Sequence, residues 1–280
     1  MNIFKTYHPF VNFIYFMSVI IFSVICTHPA YIAISFVFAS LYMIFLKGKF
    51  IKYAVPIILV ISVFYPAVNH EGITILAYLP DDNPLTMESI IYGVALAFST
   101  TSALLWFFCC TKVLTTDKLM CISGTFHPCV SLIFSVTLRF VPRFTEHMRT
   151  SFKAQNGIGK DIKSGNIFNR IKLWISVFSA TVTWAAENSI DISDSMKSRG
   201  YGVAKRSSFS LYRYKKTDMF ATANVILLIL YIVITPTNFQ YFPYTNFNSI
   251  KITNIIVYSF YCSFPFLIEI PYKIKNRDVA

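Results

Sequence analysis

Six runs of apolar residues punctuate the chain, at 10–26, 30–46, 53–68, 90–110, 219–235 and 252–270. Each is near the roughly 20 residues that a tilted membrane-spanning helix needs. The first two open on His-Pro pairs, His8-Pro9 and His28-Pro29, and proline in a first helical turn loses no hydrogen bond. Between the fourth and fifth runs the pattern changes. Residues 112–218 hold shorter apolar runs at 126–138 and 173–186, among polar and basic positions at helical spacing. The pattern predicts an all-α polytopic membrane protein with about six transmembrane helices. It divides into N-terminal spans (1–111), a cytoplasmic region of amphipathic helices (112–218) and C-terminal spans (219–280).

Composition supports lipid as the main solvent. The chain is 55% hydrophobic and only 14% charged, where soluble domains average about 25% charged. Net charge is +12, and 17 of the 25 Lys and Arg residues fall in 112–218. So uneven a distribution reads as membrane topology, not as a nucleic-acid surface. Lys47, Lys49, Lys52 and Lys112 mark cytoplasmic loops, and the Glu71, Asp81, Asp82, Glu88 stretch is external. Lys5 and the Lys273, Lys275, Arg277 end then place both termini inside. Crossing by both short runs would put eight basic residues, from Arg139 to Lys172, outside the cell. The two runs are therefore expected at or just beneath the inner membrane face; a second topology makes them an extra pair of spans. The patch at 73–79 is expected to dip into the interface. The first run lacks a small-x-small exit, so it reads as a span and not as a cleavable signal.

One stretch organises the cytoplasmic region: residues 187–202. As a helix it aligns Ala185, Ser189 and Ser193 at i, i+4, i+8, a small-residue seam that lets another helix cross closely. Asp191 and Asp194 fall on other faces. Gly200 and Gly202 end the helix, because glycine accepts a left-handed cap without a Cβ penalty. Arg199 is left in the last turn, where the helix dipole favours a cation. A second stretch begins at Arg139-Phe140-Val141-Pro142-Arg143. As a helix after Pro142 it lines up Phe144, Met148 and Phe152, with Arg143, Glu146, Arg149 and Lys153 largely opposite, and ends at Gly157 and Gly159.

Ser195-Met196-Lys197-Ser198-Arg199-Gly200-Tyr201 resembles the second signature, roughly Ala-Met-x-small-Arg-Gly-Tyr, of the transmembrane T component of energy-coupling factor (ECF) transporters. Arg139 to Arg143, Glu146 and Ala154-Gln155 resemble the run into that family's first signature, Ala-Gln-x-Ala-Arg-Gly. Here Gly157 takes the small position, Ile158 stands where the Arg belongs, and Gly159 keeps the Gly. The resemblance extends to His8-Pro9 before the first span. It implies a multi-pass protein of a prokaryotic plasma membrane whose two cytoplasmic helices cross as an X. Their tips, Ser198-Arg199-Gly200 and Gly157-Ile158-Gly159, would dock into grooves of two ABC-type ATPases. Ala154, Gln155, Ala185, Ser189, Ser193 and Met196 would form the crossing. A separate small membrane protein, the S component, would bind a vitamin or transition-metal ion. The departure at Ile158 implies that one ATPase contact is hydrophobic, or that one type of ATPase tolerates both tips.

Other chemistry is poorly represented. Gly157-Ile158-Gly159-Lys160-Asp161 fails the phosphate-loop pattern, since position 154 is Ala and Asp161 replaces the Ser or Thr that holds Mg²⁺. The chain is therefore expected to be non-catalytic, with ATP and Mg²⁺ bound by partner subunits and no cofactor of its own. The six cysteines form no C-x-x-C pair and the five histidines show no ligand spacing, so no metal site is expected. Two other readings stand beside the coupling subunit. One is a polytopic enzyme acting on lipid or isoprenoid phosphates, with His127, Glu146, His147, Asp191 and Asp194 as its polar candidates. The other is a membrane-bound scaffold.

Overall fold

A computed structural model describes residues 4–48, 50–70, 72–78, 84–126, 128–158, 167–203, 212, 214–234 and 251–277. The chain separates into two compact units. One comprises Met1–Leu119 with Tyr212–Ala280, the other Met120–Leu211.

In the first unit the apolar runs become helices α1 (Pro9–Ile25), α2 (Pro29–Phe45), α3 (Ile51–Val68), α4 (Met87–Val113), α8 (Lys216–Ile234) and α9 (Ile252–Arg277). Four of these are long and apolar enough to cross a membrane: α3, α4, α8 and residues Ile252–Glu269 of α9. Helices α1 and α2 are apolar and slightly shorter. The His-Pro pairs act as caps. Each histidine accepts from the backbone N–H two residues on, Phe10 N to His8 Nδ1 and Ala30 N to His28 Nδ1, both at 3.3 Å. Proline occupies the adjacent first helical position.

Helix α4 is the hub, packing against α1, α2 and α3. Its buried side includes the small residues Gly93, Ala97, Ser99, Thr101 and Ser102. Small residues matter inside a bilayer, where lipid is as apolar as leucine and association depends on close contact and polar bridges. A Cβ at Gly93 would meet Tyr65 and Pro66 of α3 at 3.2–3.3 Å. Ser99 Oγ donates to Ser23 O across to α1 at 2.8 Å. Around Trp106 the core is aromatic: Tyr15, Phe16 and Tyr42 lie within 6.2–6.4 Å of its ring. Its indole N–H donates to Ser35 Oγ at 3.1 Å. Ser18 Oγ and Tyr261 OH share a hydrogen bond between α1 and α9. Outward, α3 presents apolar side chains with no cover inside the chain, Val63 among them at 71% exposure. This is the surface of a multi-pass membrane protein.

The structure departs from the all-helix pattern at residues 73–78. Strand β1 (Ile75–Tyr78) pairs antiparallel with β2 (Pro84–Thr86). A four-residue strand exposed on every residue carries no periodic signal, because cross-strand pairing and not a buried face defines it.

Helix α5 (Thr116–Phe126) passes from the first unit into the second, which also contains α6 (Pro128–Gly157) and α7 (Ile167–Ser198). Each long helix absorbs a short apolar run together with the amphipathic rod that follows it. Helix α6 does not begin after Pro142; it runs straight through it. A proline inside a helix costs roughly 3 kcal/mol. The half-buried line Leu132, Val136, Phe140, Phe144, Met148, Phe152 continues unbroken past that point, so packing carries the helix through.

Candidate partner-docking tips of the second unit

Helices α6 and α7 run in opposite directions and meet at three levels. Phe152 lies edge-on to Trp174, ring centroids 4.4 Å apart. At the next level Trp184 stacks on His147 at 4.2 Å and on Phe140 at 5.7 Å. At the third, Arg139, Phe140 and Arg143 of α6 face Asp191, Ser195, Met196 and Arg199 of α7 across a groove of about 380 Å³.

On α7 the half-buried or buried line is Leu173, Val177, Thr181, Trp184, Asn188, Ile192 and Met196. Both lines advance mostly in four-residue steps, the rows that form ridges on a helix surface. Of the residues expected to form the crossing, Gln155, Ala185 and Met196 are half-buried, whereas Ala154, Ser189 and Ser193 are exposed. The face that meets α6 thus lies one residue behind the small-residue seam. Large rings fill this contact instead of close backbones. Trp184, Phe140 and Trp174, not among those six, make the ring contacts; Phe140, Phe144 and Phe152, in four-residue steps on α6, were the signal.

The second tip has a defined cap. Helix α7 ends at Ser198, and Gly200 adopts φ +81°. Gly200 N–H donates to Lys197 O at 2.9 Å and Tyr201 N–H to Met196 O at 3.0 Å. This pair of bonds is the Schellman motif, which satisfies the last carbonyls of the helix. A Cβ at Gly200 would meet nothing within 4 Å, so glycine serves the backbone conformation and not a close contact. Arg199 occupies the cap position and is exposed, as are Ser198 and Gly200. Among the described residues no hydrogen bond or ion pair engages its guanidinium. Nearby, Lys197 pairs with Asp194 at 3.7 Å on the surface.

The first tip follows α6. Gly157 closes the helix, and Ile158 stands 74% exposed in a turn, its N–H donating to Gln155 O at 3.2 Å. Gly159, Lys160 and Asp161 lie outside the described residues. Because α6 and α7 are antiparallel, the tips are at opposite ends of the pair. Ile158 is 15 to 19 residues beyond Arg143 and Arg139, roughly 25 Å along the helix.

The polar candidates for an enzyme fall in separate settings. His147 is covered by the Trp184 ring, Asp194 is paired with Lys197, and His127 lies outside the described residues. Among the described residues no cluster of His, Cys, Asp or Glu is arranged to hold a metal ion.

Residues 5–210 match the family model described as cobalt transport protein, CbiQ. Individual relatives carry the name energy-coupling factor transporter transmembrane protein EcfT. The protein of that name from Lactobacillus helveticus is 31% identical over 110 residues, covering 39% of this chain and 40% of the relative. The Listeria monocytogenes protein, EcfT 1, is 30% identical over 110 residues, 39% of this chain and 41% of its own. That from Staphylococcus aureus is 29% identical over 107 residues, 37% of this chain and 40% of the relative. The aligned stretch therefore spans about two fifths of each relative's length.

Proposed function

The chain belongs to the CbiQ cobalt transport protein family, the transmembrane T components of ECF transporters, and on that footing we propose that it couples ATP hydrolysis in partner subunits to solute uptake. In this reading the first unit anchors the chain in the plasma membrane, with both termini in the cytoplasm. Two ABC-type ATPases bind the tips of α6 and α7. A separate small membrane protein recognises the solute, a vitamin or a transition-metal ion, so no pocket of this chain encodes it. The chain itself hydrolyses nothing; ATP and Mg²⁺ belong to the ATPases.

The observation that carries the reading is the tip at Arg199. A guanidinium is always charged and offers a planar fork of donors to carboxylates or carbonyls. Here it stands exposed, with no ion pair among the described residues, at the end of a 32-residue helix, fixed by a Schellman cap. A helix transmits displacement along its axis, whereas a loop absorbs it. The roughly 25 Å between the tips suits contacts with two separate subunits. The tips differ in chemistry: Arg199 suits an acidic groove, and exposed Ile158 suits an apolar one.

Purification of the tagged chain in mild detergent tests the assignment. The expected outcome is co-purification of ATPase subunits and a small membrane protein. Recovery of the chain alone, from cells that express those partners, counts against it.

A further inference from the structure

We propose that the ATPase contact at the α7 tip is a composite groove, in which Arg139 and Arg143 of α6 grip acidic residues of the ATPase alongside Arg199. The inference rests on the docking role proposed above and adds a second helix to it.

Arg139 and Arg143 are one turn apart on α6, and Asp191, Ser195 and Arg199 follow at the same spacing on α7; all five line one groove. Three guanidiniums face a single carboxylate there. Among the described residues none of the three guanidiniums takes part in a hydrogen bond, and no ion pair within 4 Å joins any of them to Asp191. Three cations beside one carboxylate leave an excess of positive charge, and an acidic partner neutralises it. The floor between the arginines is apolar, formed by half-buried Phe140 and Met196 among others. A surface carrying two or more carboxylates around an apolar side chain matches this arrangement.

The direction of the groove selects a water-side partner. At 100° per residue, Val130, Phe134, Leu138 and Val141 share one sector of α6, and all are 40–52% exposed. Arg139 and Arg143 fall in the opposite sector. The side of α6 suited to lipid or to a membrane-embedded partner is therefore turned away from the arginines. A phospholipid headgroup is the less fitting occupant.

The test uses the full-length chain in detergent and the ATPase pair that co-purifies with it, bound at low and moderate salt. Arg139→Gln, Arg143→Gln and Arg199→Gln are each expected to weaken association about tenfold and to flatten its salt dependence. Arg149→Gln, on another face of α6, is expected to leave both unchanged. Unfolding midpoints check that every variant is folded. Independently, Arg143→Lys with a carbodiimide, which joins an amine to a carboxylate, is expected to cross-link the chain to an ATPase. If only Arg199→Gln weakens binding and Arg143→Lys gives no cross-link, the composite groove is wrong while the docking role stands. If Arg199→Gln is also without effect, the docking role itself fails. Loss of binding to anionic vesicles, with ATPase association intact, assigns the arginines to headgroups and overturns the proposal.

Discussion

Trp184 of α7 lies flat on His147 of α6, ring centroids 4.2 Å apart and planes within 7°, with Phe140 stacked 5.7 Å away. Two rings separated by two helical turns on α6 thus share one ring of α7. Trp184→Ala removes the middle level of the helix pair and is predicted to destabilise the second unit by about 3 kcal/mol. Trp184→Phe is predicted to lose less than half as much. Limited proteolysis checks both: cleavage within 120–211 should accelerate, while the apolar helices of the first unit stay protected.

Gly200 provides a prediction with no steric component. Its φ of +81° disfavours any residue with a Cβ, yet open space surrounds the position. Gly200→Ala is predicted to cost about 1 kcal/mol and Gly200→Asn less, since Asn tolerates the left-handed region. ATPase association should fall in the same order, because losing the cap redirects Arg199. Equal association for wild type and Gly200→Ala would mean that cap geometry is irrelevant to docking.

Lys118 supplies a pH dependence. Its side chain is 2% exposed, and its Nζ has no hydrogen-bond partner. Burial, reinforced by the charge of Lys5, lowers its pKa from 10.5 to about 8. Between those values the unfolded chain binds the proton and the folded chain does not. Stability is therefore predicted to rise as pH increases from about 8 toward 10.5, and the penalty is fully present below 8. Lys118→Met is predicted to stabilise the detergent-solubilised protein at pH 7, by on the order of 2 kcal/mol. Thermal unfolding between pH 7 and 10 checks the sign; a flat wild-type profile contradicts it.

Asp218 joins segments 210 residues apart. Buried to 4% exposure, it accepts His8 N–H at 3.3 Å and Lys215 N–H at 3.0 Å. The second bond is the carboxylate half of a capping box at the start of α8. The first ties α8 to the start of α1, where His8 and Tyr214 also meet ring to ring at 4.9 Å. Asp218→Ala is predicted to cost about 1–2 kcal/mol, because two part-buried donors lose their acceptor. Asp218→Asn, which keeps one acceptor oxygen, should cost less. Unfolding midpoints of the two variants decide the order.

Much of this was legible in the residues. The apolar runs set the six helices of the first unit, His-Pro pairs marked two of their starts, and Gly200 marked the end of α7. The contacts were harder. Small residues at 185, 189 and 193 indicate where a backbone can approach closely, but not whether one does. On α7 the large Trp184 one position earlier took the contact, leaving Ser189 and Ser193 exposed. Pro142 reads locally as a helix start, yet the half-buried line from Leu132 to Phe152 overrides it. Lys118 looks like one more solvated cation until the fold buries it. Asp218 and His8 share nothing in sequence that announces their bond.

If Arg199 is the point at which an ATPase engages this chain, charge reversal there must break the contact. Uptake and ATPase co-purification by Arg199→Glu, with Lys197→Glu as the neighbouring control, decide it. A correctly inserted Arg199→Glu protein is predicted to lose both, while Lys197→Glu, at a side chain that pairs with surface Asp194, keeps most of each. Wild-type uptake and a full complement of ATPase in the Arg199→Glu preparation would contradict it.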